Sequence, residues 1–376
     1  MTEPLPGMPI PPAAKPQKGV PRQRTRKKKV TAFGAENRGR LLDLYFSEAD
    51  ELDPSTAWKH IYRLLLSIDR TIGLAHCYES NRCQPGEAWY VRSLAFHGWV
   101  AEQLETTPAE LANQIDWLFR RAIVDLASAK ISAARSKRTL KEREPYEGMG
   151  FPEPGDDPEL ATVILNAVEP WLAGQPPQTA QQELVQRVLT YVKQENKRRN
   201  LIGEAFEDSI AAILHRIPVI AAAYEINTRT RLHNIRGFSR GPAKHKEDIV
   251  DLVLIRKRDQ RRLLVTAKWS VRADREKQFD SEYATYTGRE DLGEDFDYVC
   301  ITNEFDSARL VRACERRSGN QNQFTDVVHV QPEGPALAYR HGGTDREDNS
   351  GPMYRYIASG RLSSFAGWVN KLAASG

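Results

Sequence analysis

The sequence predicts an α/β fold in its C-terminal half, preceded by a helical N-terminal domain. Three observations predict it. Apolar residues recur at helical spacing through residues 36–140. A stretch dense in proline, glycine and acid, EPYEGMGFPEPGDDP at 144–158, then breaks the pattern. After residue 201 a helical stripe gives way to two apolar, β-branched runs and then to alternating helix and strand.

Taken in order, residues 1–35 form a basic, proline-rich tail. Between Glu3 and Glu36 there is no acid, while Lys15, Lys18, Arg22, Arg24, Arg26 and Lys27–Lys29 are basic and seven prolines precede Arg22. Such a segment is expected to be extended and disordered, either simply solvated or a phosphate-attracting arm. Residues 36–143 read as the helical domain, with Leu41, Leu42 and Tyr45, then Trp58, Ile61, Tyr62 and Leu65, then Trp117, Leu118, Ile123 and Leu126 as apolar faces. Residues 144–158 read as a linker, and 159–376 as the second domain, with its core at 200–335. There, Leu184, Val185, Val188, Leu189 and Val192 mark one helix, and Phe206, Ile210, Ile213 and Leu214 mark the next. The runs IVDLVLI (249–255) and LLVTAK (263–268) read as strands joined by a polar hairpin. Strands are expected again at 296–302 and 325–330, and helices at 308–316 and 365–372.

Composition excludes several classes. The chain has 376 residues, 54 Lys and Arg against 50 Asp and Glu, and a net charge of +4, too small to argue for nucleic acid by itself. No stretch approaches the ~20 apolar residues of a membrane span, and no apolar run follows the N-terminal charges, so neither a membrane protein nor a secretory signal is expected. Four cysteines do not make a disulfide scaffold and fit a reducing cytoplasm. His76, Cys77, Cys83 and His97 match no standard zinc spacing.

The chemistry is expected in residues 200–290. Asp251 interrupts one apolar strand, and Lys268 ends the next on the face shared with Thr266. Burying such charges is costly unless they serve a site or pair with one another. On the preceding helix Glu207 borders the buried face, with Glu204 the neighbouring alternative; Asp248 is the alternative to Asp251. A helix starting near Ala273 would place Arg275, Phe279 and Glu282 on one side. Upstream, residues 227–246 carry Arg229, Arg231, Arg236, Arg240, Lys244 and Lys246 without an acid, and Gly237 and Gly241 suggest a loop, either phosphate-contacting or solvated.

The order Glu207, Asp251, Lys268 resembles the PD-(D/E)xK nuclease core, although Thr266 stands where the second acid belongs and Val250 where the proline does. One branch of that family, the restriction endonucleases reading CCGG or CCNGG, places the missing acid on the following helix and carries an Arg-x-Asp-Arg-like segment after the lysine. Here Arg272, Asp274, Arg275 and Glu282 follow Lys268 by 4, 6, 7 and 14 residues, as in that branch. The resemblance covers roughly residues 200–305. It implies a mixed sheet flanked by helices and Mg²⁺ held by Asp251, Glu282 and Glu207, with Lys268 at the scissile phosphate. It further implies that Arg272 and Arg275 read guanines and Asp274 cytosines, with Arg236, Arg240 and Lys244 on the DNA backbone. The implied protein is a type II restriction endonuclease, a homodimer or higher oligomer on double-stranded DNA, with a cognate methyltransferase as a genetic rather than physical partner. A repair or modification-dependent nuclease with the same core, or an inactive sequence-specific DNA-binding protein, is the alternative.

Overall fold

The computed structural model describes residues 32–49, 52–66, 86–114, 117–134, 178–242, 247–271, 273–341 and 350–376. Nearly all of the basic tail, the 144–158 break, and His76, Cys77 and Cys83 lie outside them. The chain begins with helices α1 (Ala35–Glu48), α2 (Ala57–Leu65), α3 (Ala88–Gln103), α4 (Pro108–Gln114) and α5 (Trp117–Ala134). Next come α6 (Gln178–Arg216), the short α7 (Pro218–Ala223) and three strands, β1 (Tyr224–Arg231), β2 (Ile249–Arg256) and β3 (Arg262–Lys268). Helix α8 (Ala273–Arg289) leads to β4 (Asp297–Thr302), α9 (Ser307–Glu315), the tiny hairpin β5 (Arg317–Ser318) and β6 (Gln321–Asn322), and β7 (Asp326–His329). Helices α10 (Glu333–His341) and α11 (Ser350–Ala358), strand β8 (Leu362–Ser364) and α12 (Phe365–Ser375) complete the chain.

The main sheet has the order β1-β2-β3-β4-β7-β8. The first three strands are antiparallel neighbours, and β3, β4, β7 and β8 run parallel. This is the mixed sheet flanked by helices that the sequence predicts. Its centre is apolar on both faces: Leu252, Leu254, Leu264, Val265, Val299, Ile301, Val327 and Val328 are all buried. That is the signature of a sheet covered by helices on both sides. Phe206 of α6 packs edge-on against Trp269 at 5.3 Å, and Phe279 of α8 against Phe324 at 5.3 Å.

Three differences from the sequence reading have physical reasons. The two helices expected on either side of residue 201 are one helix of 39 residues, α6. Lys193–Asn200 lacks an apolar stripe but is rich in Lys, Arg, Gln and Glu, which sustain a helix through a polar stretch. Residues 227–231, expected in a loop, belong to β1, an edge strand whose polar alternation hides its pairing with β2.

The third difference concerns the N-terminal helices. Thr31–Gly376 forms one compact unit, and α1–α3 share an apolar core with the sheet part instead of closing one of their own. Trp58 stacks on Trp99 at 5.6 Å, Phe96 meets Phe305 at 5.7 Å, and Tyr62 donates a 2.9 Å hydrogen bond to Asn303 Oδ1. Helix α10 approaches α3 so closely at Gly334 that a Cβ there would lie 2.6 Å from Phe96. Glycine is required by that approach.

Candidate active site

Cross-strand pairing of Leu252 with Val265 brings Asp251 beside Thr266, and β3 ends on Lys268 next to Thr302 of β4. Asp251 Oδ2 accepts from Lys268 Nζ at 2.6 Å, from the Ala267 backbone N–H at 3.0 Å and from Thr266 Oγ1 at 3.3 Å. Both charged side chains are mostly buried, 18% exposed for Asp251 and 11% for Lys268. Thr266 is thus a donor to Asp251.

Glu207 and Glu282 approach this pair from opposite covering helices. Glu207 is buried on α6, and its Oε2 accepts from Arg229 Nη1 at 2.9 Å. Glu282 lies on α8, one turn beyond buried Phe279. Its Oε2 accepts from the Tyr298 hydroxyl at 2.8 Å and its Oε1 from Gln278 Nε2 at 2.5 Å.

The electrostatics show the four groups acting on one another. Burial and then the Asp251 charge push Glu207 up to about 8, against the pull of Arg229 and Lys268. Burial also raises Glu282, with Asp251 adding to it and Lys268, Tyr298 and Gln278 opposing. Burial works against the Lys268 ammonium, but Asp251, Glu282 and Glu207 outweigh it and raise Lys268 above its ordinary value. A cleft where desolvation and like charges perturb several groups together is where functional chemistry concentrates.

The alternatives separate by geometry. Asp248 forms an ion pair with Arg289 of α8, away from Lys268. Glu204 is 55% exposed and pairs with Arg38. Asp251 is therefore the acid that bonds Lys268, and Glu207 the acid of α6 whose charge acts on it. A cavity of about 260 Å³ adjoins the site, lined in part by Asp248, Gln278, Ser281, Glu282 and Tyr286.

Of the residues expected to read bases, Arg272 lies outside the described residues, and Asp274 and Arg275 sit in the first turn of α8 without described side chains. Lys244 is likewise outside. Arg236 is engaged by Glu294 at 3.2 Å, and exposed Arg240 lies 3.4 Å from His233 Nε2. Sequence reasoning missed Arg229, Gln278 and Tyr298 as partners of the acids. Gln278 stood at i−4 from Glu282, a spacing that places both on one helix face; Arg229 needed the cross-strand pairing.

No family model and no curated protein sequence matches the chain. Among solved structures, one described as metal-depleted Ecl18kI in complex with uncleaved, modified DNA aligns over 92% of this chain and 85% of that chain. It is 12% identical, with a TM-score of 0.29. A likeness that loose carries no argument, so the functional reading rests on the side chains.

Those side chains fit a small divalent cation. Among the described residues no three acids, histidines or cysteines form a closed metal cage. Mg²⁺ does not need one, because it binds through one or two carboxylates, keeps several waters and takes further oxygens from substrate phosphate. All the hydrogen bonds to Asp251 fall on Oδ2 and the bond to Glu207 falls on Oε2. One oxygen of each acid thus accepts no hydrogen bond from a described residue. Elsewhere, Cys300 and Cys314 are buried free thiols, pushed up to about 12 by burial, and so are inert. Among the described residues no helix is long and apolar enough to cross a membrane.

Proposed function

We propose that this protein is a Mg²⁺-dependent DNA endonuclease of the type II restriction kind. It makes double-strand cuts at a site with a CCGG or CCNGG core. The observation that supports the reading best is the buried Asp251–Lys268 pair on the interior strands β2 and β3, flanked by Glu207 and Glu282. An isolated structural ion pair needs no further acids around it. This one has two, and both carboxyls are raised above their ordinary values by burial and by Asp251.

Asp251 and Glu282, with Glu207 beside them, would hold the cation. When bound, Mg²⁺ supplies charge neutralisation at the phosphate and a water of lowered pKa. Asp251 meanwhile holds Lys268 Nζ in place and keeps it protonated, so that its ammonium can donate to a non-bridging phosphate oxygen. Gln278 and Tyr298 fix both oxygens of Glu282, the acid that replaces the one missing at Thr266. Base reading belongs to Arg272, Asp274 and Arg275 at the start of α8, directly downstream of Lys268, where arginine forks match guanine O6 and N7. Two copies of the chain act on one palindromic duplex, because two identical sites must cut two strands.

The test is incubation of the protein with plasmid and phage DNA, with and without Mg²⁺, followed by end-sequencing of the fragments. Discrete cuts at one recurring sequence are expected. Sequence-specific binding without cleavage would assign the chain to DNA-binding proteins that have lost catalysis.

A further inference from the structure

Arg229 stands in an unusual place for an arginine. It lies within β1 yet has φ +48°, the left-handed region that long side chains rarely occupy. Its neighbours Thr228 and Thr230 pair with Leu252 and Val250, so Arg229 lies directly across from Asp251. Strain of this kind persists where surrounding interactions over-determine it, and it clusters at functional sites.

The interactions that hold it are specific. The two terminal nitrogens fork onto two successive acids of α6, Nη1 to Glu207 Oε2 at 2.9 Å and Nη2 to Asp208 Oδ1 at 2.5 Å. Asp208 is itself shared, its Oδ2 accepting from Arg38 Nε of α1 at 2.7 Å. Arg38 is buried and is anchored on the Phe33 carbonyl at 2.6 Å and on Glu204 at 2.5 Å. A chain of charge-assisted bonds thus runs from α1 through Asp208 and Arg229 to Glu207. Asp208 already has Arg38 as a partner, so pairing Asp208 does not by itself require a strained Arg229. The addition that Arg229 makes is its hold on Glu207, an acid otherwise pressed beside the like charge of Asp251.

We propose that Arg229 is a positioning residue for the cation site, holding one oxygen of Glu207 so that the other stays turned to a cation shared with Asp251. The proposal rests on the preceding reading that Asp251 and its neighbouring acids bind a divalent cation. The fork matters: an arginine can hold two carboxylates in fixed planes, and a lysine cannot.

The test reads cation binding without cleavage. Mn²⁺ is titrated into the full-length protein in the absence of DNA, following the free-ion EPR signal, for wild type, Arg229→Gly, Arg229→Lys, Asp208→Asn and Asp251→Asn, with a thermal melt of each. The glycine variant relieves the left-handed backbone while removing the clamp, so its fold should survive. The expectation is that Arg229→Gly weakens Mn²⁺ binding tenfold or more and that Arg229→Lys does not restore it. Asp208→Asn, which loosens only the outer half of the fork, should weaken binding by a smaller factor. A merely electrostatic arginine gives the opposite sign, because removing a positive charge beside the acids tightens Mn²⁺ binding. A mere staple between α6 and β1 lowers the melting temperature and leaves Mn²⁺ affinity alone. Either result overturns the proposal. If Arg229→Gly unfolds, the lysine and Asp208 variants decide by the same criterion. Asp251→Asn separates the two levels: should it also leave Mn²⁺ binding unchanged, the cation site itself is wrong. Loss in Asp251→Asn with wild-type binding in the Arg229 variants sinks only the role of Arg229.

Discussion

Among the described residues Glu207 and Glu304 are both buried, and their surroundings differ. Glu304, between β4 and α9, accepts from the Val271, Phe305 and Asp306 backbone N–H groups at 2.6, 2.8 and 2.9 Å, and Arg309 lies 3.4 Å away. Both of its oxygens are used, and the result is a clamp between the exit of β3 and the start of α9. Glu207 has one partner on one oxygen and a like charge for a neighbour. Burial raises both acids above their ordinary range. The contrast teaches that burial does not mark a functional acid by itself. The Asp251–Lys268 pair, which acts on Glu207 and Glu282 and not on Glu304, is the feature that separates them.

The contrast can be broken most directly at Asp251 and Lys268. Asp251→Ala and Lys268→Ala should each reduce cleavage by on the order of 10³-fold or more, the scale of losing a preorganised electrostatic group. Lys268→Ala should still bind DNA. Glu304→Ala should behave in the opposite way, losing on the order of 3 kcal/mol of stability through stranded N–H groups and Arg309. Its remaining folded fraction should still cut. A gel cleavage assay run beside denaturant melts reads both; near-normal cutting by Asp251→Ala would remove the site assignment.

The second prediction concerns the relocated acid. Glu282→Ala should be nearly inactive, whereas Thr266→Ala, which removes one 3.3 Å bond to Asp251, should be far milder. Tyr298→Phe and Gln278→Ala should fall between them, at about tenfold, because each removes one of two bonds orienting Glu282. Equal rates for Glu282→Ala and wild type would return the missing acid to another position.

Base reading gives the third. Arg272→Ala should lose roughly 1–3 kcal/mol of discrimination between a cognate duplex and one with a core G·C pair changed, while random-DNA affinity persists. Arg240→Ala should weaken all sequences alike and flatten the salt dependence. Arg236, already held by Glu294, should matter least. Binding titrations at two salt concentrations separate these outcomes.

The smallest effect is on stability against pH in the metal-free protein. Glu207 has an ordinary value of 4.5 and is pushed to about 8 in the fold. Between those values the unfolded chain releases a proton that the folded chain keeps, so stability falls as pH rises through that window. Glu282 and Glu304 are also raised and slope the same way. Glu207→Gln should therefore flatten the decline in part. Added Mg²⁺ should flatten it for wild type and leave the share of Glu304 untouched. Melting curves in EDTA and in Mg²⁺ across that range check this, and an unchanged slope in Glu207→Gln would contradict it.

How much of this was legible in sequence depended on how local the information was. Asp251 and Lys268 stand out because a charge in an apolar strand is conspicuous, and Glu282 because a helix begins at Ala273 a fixed distance beyond the lysine. Glu207 could not be told from Glu204, three residues away, because only packing makes one buried and the other exposed. Arg229 was one basic residue among several, since its role needs the pairing of β1 with β2 and a backbone angle that no side-chain pattern encodes. The continuity of α6 was hidden by a polar stretch, and the shared core by contacts far apart in the chain, such as Tyr62 with Asn303.

Gly334 sets a limit on how this chain can be cut up. Because α10 lies against α3 with no room for a methyl group, the aromatic cluster there is built from both ends of the sequence. A fragment starting at residue 159 would keep Phe305, Tyr339 and Asn303 but lose Phe96, the Arg92 guanidinium stacked 4.1 Å over Tyr339, and the Tyr62 hydroxyl. Asn303 donates its backbone N–H to the carbonyl of Trp269, the residue next to Lys268. Trimming the residues before 159 would therefore uncover apolar surface and slacken the very turn that presents the lysine. The proline-rich break at 144–158 reads as a seam in the sequence, and buried contacts join described residues on either side of it.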